Sequence, residues 1–146
     1  VGLPGRRRRG GDVSVWAATQ KLVYGLLVAD AGVHAYVADR VYDGVPADPV
    51  YPYISFGPSD CVSDDAECIV GRMETMQIDV WSSDQSRMRI AKEICDTVKA
   101  ALHETTGSLD AGALVLIRVE TMRVQPDPDG IMAHGIVPVT LMVEES

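Results

Sequence analysis

TMQIDVW at residues 75–81, followed by RMRIAKEICDTVKAAL at 87–102, sets a two-residue apolar period directly ahead of a helical one. Met76, Ile78 and Val80 alternate with Thr75, Gln77 and Asp79, and Trp81 closes the run. That alternation predicts a strand with one buried and one wet face. Downstream, Met88, Ala91, Cys95, Val98 and Leu102 recur three or four positions apart, with Ile90, Ile94 and Ala101 beside them. Arg87, Arg89, Lys92, Glu93, Asp96 and Lys99 hold the other side, so the segment predicts an amphipathic helix. Ser82-Ser83-Asp84 reads as its start, where a carboxylate suits the positive end of the dipole, and Gly107 reads as its exit.

Working outward from that pair, Ser14 is placed as an N-cap, with Val15, Thr19, Leu22, Leu26 and Ala29 at helical spacing behind it. A helix is expected over about 14–30, then a short helical turn or loop over 31–39. Residues 40–46 form a short extended piece, and Tyr51–Gly57 reads as a strand. The stretch 58–71 is expected to be a polar loop carrying Asp60, Asp64, Asp65 and Glu67. Ala113–Val124 predicts a long strand with Val115, Ile117 and Val119 on one face. Gln125–Gly130 is a turn, and 131–143 returns as the final strand of a hairpin. Pro138 inside that strand argues for an edge or a bulge. Hairpins dominate this order, so the expected fold is α+β: an antiparallel four-stranded sheet with two helices packed on one face. Residues 1–12 are set apart as a basic flexible arm, and 13–146 as a single α+β domain.

Composition bounds the function. Of 146 residues, 47% are hydrophobic and 23% charged, which excludes global disorder. No apolar run approaches the ~20 residues of a membrane span. Val1–Gly11 carries a basic cluster with no hydrophobic region after it, so it is not read as a secretory signal. Cys61, Cys68 and Cys95 have neither zinc nor redox spacing, and Cys95 falls on the apolar helix stripe as a packing residue. Net charge is −8, yet four of the 13 basic residues are Arg6, Arg7, Arg8 and Arg9. The remainder sets 9 basic residues against 21 acidic ones, a net of −12. A body this acidic is unsuited to gripping phosphates along its surface. The arginine run reads either as a solvated arm or as a contact for nucleic acid or an acidic neighbouring subunit.

Catalytic constellations are thin. His34, His103 and His134 have no metal-ligand spacing. The 58–71 carboxylates lack the register of a calcium loop, Ser82-Ser83 has no nucleophile context, and Trp16 and Trp81 read as core or interface anchors. No catalytic residue, cofactor or metal is expected, which points to assembly or binding.

Arg40-Val41-Tyr42-Asp43-Gly44-Val45-Pro46 followed by Tyr51-Pro52-Tyr53-Ile54-Ser55-Phe56-Gly57 resembles the signature of tail terminators. These are the tail-completion proteins of long-tailed phages and phage-like gene transfer agents. Other pieces are similar in order: the helix ending Leu27-Val28-Ala29-Asp30, Gln77–Ser82 feeding a helix to Ala100-Ala101-Leu102-His103, and Asp127-Pro128-Asp129-Gly130 before His134-Gly135. The arginine arm and Pro138 depart from the pattern. The resemblance implies a structural virion protein forming a homo-hexameric ring at the head-proximal end of the tail. It implies contacts with the tail tube protein and a head-closure or adaptor connector, and genome DNA passing through the lumen, with no membrane partner. It places the protein in the particle at the head–tail junction, and in the bacterial cytoplasm during assembly. Arg6–Arg9 and the loop carboxylates Asp60, Asp64, Asp65 and Glu67 are the interface candidates. Two alternatives stay open: another connector component, or a small-molecule-binding α+β dimer.

If the arm clips neighbouring subunits together, replacing Arg6–Arg9 with Ala weakens assembly most at low salt, where exposed charge pairs are strongest. Assembly unchanged across a salt series removes the arm from the contact.

Overall fold

Ser14 begins the first helix as its spacing predicts, its side chain accepting from the Ala17 N–H at 3.1 Å. The computed structural model describes residues 14–145, so Arg6–Arg9 and the 1–12 arm lie outside the described residues. Helix α1 (Val15–Ala29) stops at Asp30, and helix α2 (Ala31–Val37) starts from the same residue. The Asp30 N–H reaches Leu27 O while its carboxylate accepts from Val33 N at 3.0 Å. One residue thus ends one helix with its backbone and opens the next with its side chain. The segment read as a helical turn or loop is therefore a third helix.

The remaining elements are β1 (Val41–Tyr42), β2 (Tyr53–Ser63), β3 (Gly71–Ser83), α3 (Arg89–Leu102), β4 (Ala113–Arg118), β5 (Arg123–Pro126) and β6 (Met132–Glu144). They form a six-stranded, mostly antiparallel sheet in the order β1-β2-β3-β6-β4, with β5 also on β6. The four-stranded expectation is corrected at two points. First, β1 adds a parallel edge, pairing Val41 and Tyr42 with Ile54 and Ser55. Beyond Ser55, β2 has no second neighbour among the described residues.

Second, the long strand expected over 113–124 is two strands. A register shift between Leu114 and Leu116 breaks the alternation, so Val115 is exposed while Ile117 is fully buried. The chain leaves the ladder after Arg118 and rejoins β6 lower down through Arg123–Pro126. Pro138 is correspondingly not at an edge. It sits in central β6 opposite Gln77, in the stretch between the residues paired by β4 and those paired by β5. A missing N–H costs no ladder bond on that side.

The helix after β3 begins later than expected. Ser82 and Ser83 stay in the strand because β6 offers Ala133 and Met132 as partners. Gln85 and Ser86 turn the chain with positive φ, and α3 starts at Arg89 without a side-chain cap.

All three helices cover the sheet face bearing Met76, Ile78 and Val80 of β3 and Val137, Val139 and Leu141 of β6. Ala91, Ile94, Cys95, Val98 and Leu102 fill the space between α3 and the strands, as the helical stripe predicts. α3 approaches closest at Gly135. A Cβ there would lie 2.6 Å from Cys95 Sγ and 3.0 Å from Val80 Cβ. Gly135→Ala is expected to cost about 1–3 kcal/mol by overpacking. Adding Cys95→Ala should return part of that loss, read as a urea midpoint; no loss in the single variant would show α3 free to move away.

Candidate functional site

The segment read as a polar loop at 58–71 is largely strand. Ser59–Ser63 pairs with Arg72–Met76, because β3 is held along β6 as far as Gly71 and carries β2 with it. Only the tip extends further. Ala66 and Ile69 exchange two backbone hydrogen bonds, 3.1 and 3.0 Å, around Glu67-Cys68, with Cys68 at positive φ. The Asp65 carboxylate accepts from Gly71 N at 3.2 Å. The tip gathers Asp64, Asp65 and Glu67, whereas Asp60 stands back on the strand opposite Thr75. Sequence reasoning missed that this surface is apolar as well as acidic: Val62, Ile69, Val70 and Met73 are all exposed.

The base of the hairpin is tied to the first helix. Glu74 shares the core face with Met76 and Ile78 and is fully buried. It meets the Thr19 hydroxyl of α1, and that hydroxyl also lies 2.8 Å from Trp16 O. The Thr19 hydroxyl donates toward both acceptors, a three-centre contact that ties Glu74 to the turn of α1 at Trp16. Burial pushes the Glu74 carboxyl above its ordinary range, against the opposing pull of Thr19 and Arg72. Arg72 Nε sits 3.0 Å from Glu74 Oε2 as an ion pair without hydrogen-bond geometry. The same guanidinium bonds Glu145 at 3.0 Å and stacks over Trp16. The signal was present in the sequence, since Glu74 has the parity of Met76, Ile78 and Val80.

The opposite sheet face carries a second polar cluster. Asp79, read from alternation as wet, is only 7% exposed. It accepts from Gln77 at 2.8 Å and from His134 Nε2 at 2.7 Å. Gly57 passes so close to it that a side chain there would strike its carboxylate. His134 stacks on Trp81, ring centroids 3.9 Å apart, and Trp81 Nε1 reaches Ser55 at 3.3 Å. Trp81 is thus a partly buried aromatic on the face away from the helices. His103 accepts from Val119 N through Nδ1, and His34 stands exposed on α2. Among the described residues, no three His, Cys, Asp or Glu side chains converge as metal ligands. Among the described residues, what the molecule offers is shaped surface: an acidic and apolar tip, a sheet face without helices, and strand edges without a second neighbour.

The family described as "Tail completion protein gp17" matches residues 21–144, from within α1 to the end of β6. The chain belongs to that tail-completion family. It is also similar to a chain of a solved structure titled "Virion of native gene transfer agent (GTA) particle". That similarity has a TM-score of 0.82 and 28% identity, covering 91% of this chain and 99% of the other. No curated protein matches. The tail-completion match contains the whole hairpin, Glu74 itself and the Asp79–His134 pair, while Trp16 and Thr19 lie just ahead of it. It agrees with the family that the Arg40–Pro46 and Tyr51–Gly57 stretches resemble. The protein is a tail completion protein of a phage or gene transfer agent particle.

The Glu74 shift has a sign. Its folded pKa lies above the unfolded value, so its contribution is fully present below the unfolded pKa and is lost as pH rises through the folded one. Relative to Glu74→Gln, whose amide stays neutral, the wild type should therefore lose stability as pH climbs above about 4.5. Parallel stability–pH curves would show that Glu74 does not titrate differently on folding.

Proposed function

We propose that six copies of this tail completion protein form the ring that closes the head-proximal end of a tail tube and presents the surface on which the head connector docks. One observation carries the reading. The chain aligns with 99% of a gene transfer agent virion chain at a TM-score of 0.82, so nearly the whole fold of that relative has a counterpart here. The family match over residues 21–144 supports tail completion as the task. The role is structural and non-enzymatic, at the head–tail junction of a phage or gene-transfer-agent particle, with assembly in the bacterial cytoplasm.

The partners on this reading are copies of the same chain, the tail tube protein, and a head-closure or adaptor protein. Genome DNA crosses the lumen without sequence-specific binding. The charge supports this: with Arg6–Arg9 set aside the chain carries −12, and a negative wall repels phosphates instead of holding them. In the same reading Arg6–Arg9 reach the acidic surface of a neighbour, and Asp60, Asp64, Asp65 and Glu67 belong to contact surfaces.

Gold-labelled antibody should mark the head–tail junction of particles in electron microscopy. Particles lacking the protein should carry overlong tails. Junction label with tails of normal length but no heads attached would make the chain an adaptor, and absence of label would overturn the particle role.

A further inference from the structure

We propose that the β2–β3 tip of one copy seats in the groove between α3 and β5 of the next copy. This rests on the ring reading and specifies its contact. The groove holds about 260 Å³ and is lined by Lys92, Cys95, Asp96, Met122, Arg123 and Val124. Val124 and the buried Cys95 form its floor, and Met122 stands exposed beside them. Lys92 and Arg123 are both exposed, and neither forms an ion pair among the described residues. Against the single carboxylate of Asp96, the lining is net positive. That is unusual on a chain whose residues after Arg9 carry −12.

The tip is its complement. Residues 60–71 contain no Lys or Arg, and Asp64, Asp65 and Glu67 cluster there. Ile69 and Val70, 45% and 50% exposed, supply an apolar part to set against Met122 and Val124 of the groove. The Ala66–Ile69 pair and the Asp65–Gly71 bond hold the tip in one shape, so little ordering cost remains on docking.

The two surfaces cannot meet within one chain. Val124 pairs with Gly135 near one end of β6, and Gly71 pairs with Glu144 at the other. At roughly 3.4 Å per residue, that separation is on the order of 30 Å along the sheet. Complementary patches at opposite ends make a heterologous contact, which repeats from copy to copy and closes into a ring when the rotation allows.

The test uses the full chain incorporated in particles. In Met122→Cys, a short bismaleimide should link position 122 to the native Cys68 of the next copy. Peptide mass spectrometry identifies the joined pair, the ladder should extend to six, and Cys68→Ser should abolish it. Lys92→Glu with Arg123→Glu, or Asp64→Lys with Glu67→Lys, should each lower incorporation by about tenfold, and the combined exchange should restore it. Met122→Cys chains that enter the junction as rings yet give no 68–122 link, or charge reversals without effect, overturn the contact and leave the ring reading standing. Links that stop at two copies overturn head-to-tail docking in favour of a reciprocal pair. A wild-type chain absent from the junction overturns the ring reading and this contact with it.

Discussion

Helix α3 rests on β6 at a point where no side-chain carbon fits, and the arrangement of the other layers follows from that approach. Gly135 lets Cys95 lie directly on the strand beside Val80, which brings the whole apolar stripe of α3 into the sheet. With α3 seated this low, α1 and α2 pack against it, and Tyr36 of α2 donates to Glu93 of α3 at 2.7 Å. The helices then cover one face only. The other face carries no helix, and its Asp79 is shielded by neighbouring strand side chains instead.

That one-sidedness explains why the buried polar groups sit where they do. Glu74 lies under α1 near the root of the hairpin, where Thr19, Trp16 and Arg72 surround it. A carboxyl in such a place gains no stability from burial alone. What it supplies is register, because a slip of one residue in β3 would expose Glu74 and bury its neighbours instead. Asp79 performs the matching task on the open face, where Gln77 and His134 fix it across two strands.

Much of this was legible in the sequence. The alternation through Met76–Val80 and the stripe through Met88–Leu102 predicted β3 and α3 with their buried faces. The parts that were not legible share a cause: the pairing partner, absent from local sequence, decided them. Ser59, Asp60 and Ser63 are polar at both parities, and only the length of β3 beside them makes β2 a strand there. The bulge at Leu114 and Leu116 inverts the face of Val115, and no residue pattern announces it. Ser82 and Ser83 look like a cap but are retained by β6. For the surfaces, the acidic tip could be read directly as a charged stretch. The cationic groove could not, because Lys92 and Arg123 come from distant segments that meet only when β5 folds beside α3.

The open outer edge of β2 bears on what happens to the chain in a crowded cell. Unpaired backbone N–H and C=O groups are the template on which amyloid-like stacking begins. Along this edge Pro58 removes one donor, the irregularity between Phe56 and Ser59 interrupts the spacing, and Asp60 sets a charge on the strand. An arriving strand therefore finds no long regular ladder to extend. The edge is shaped against open-ended strand addition and the fibre growth that follows from it.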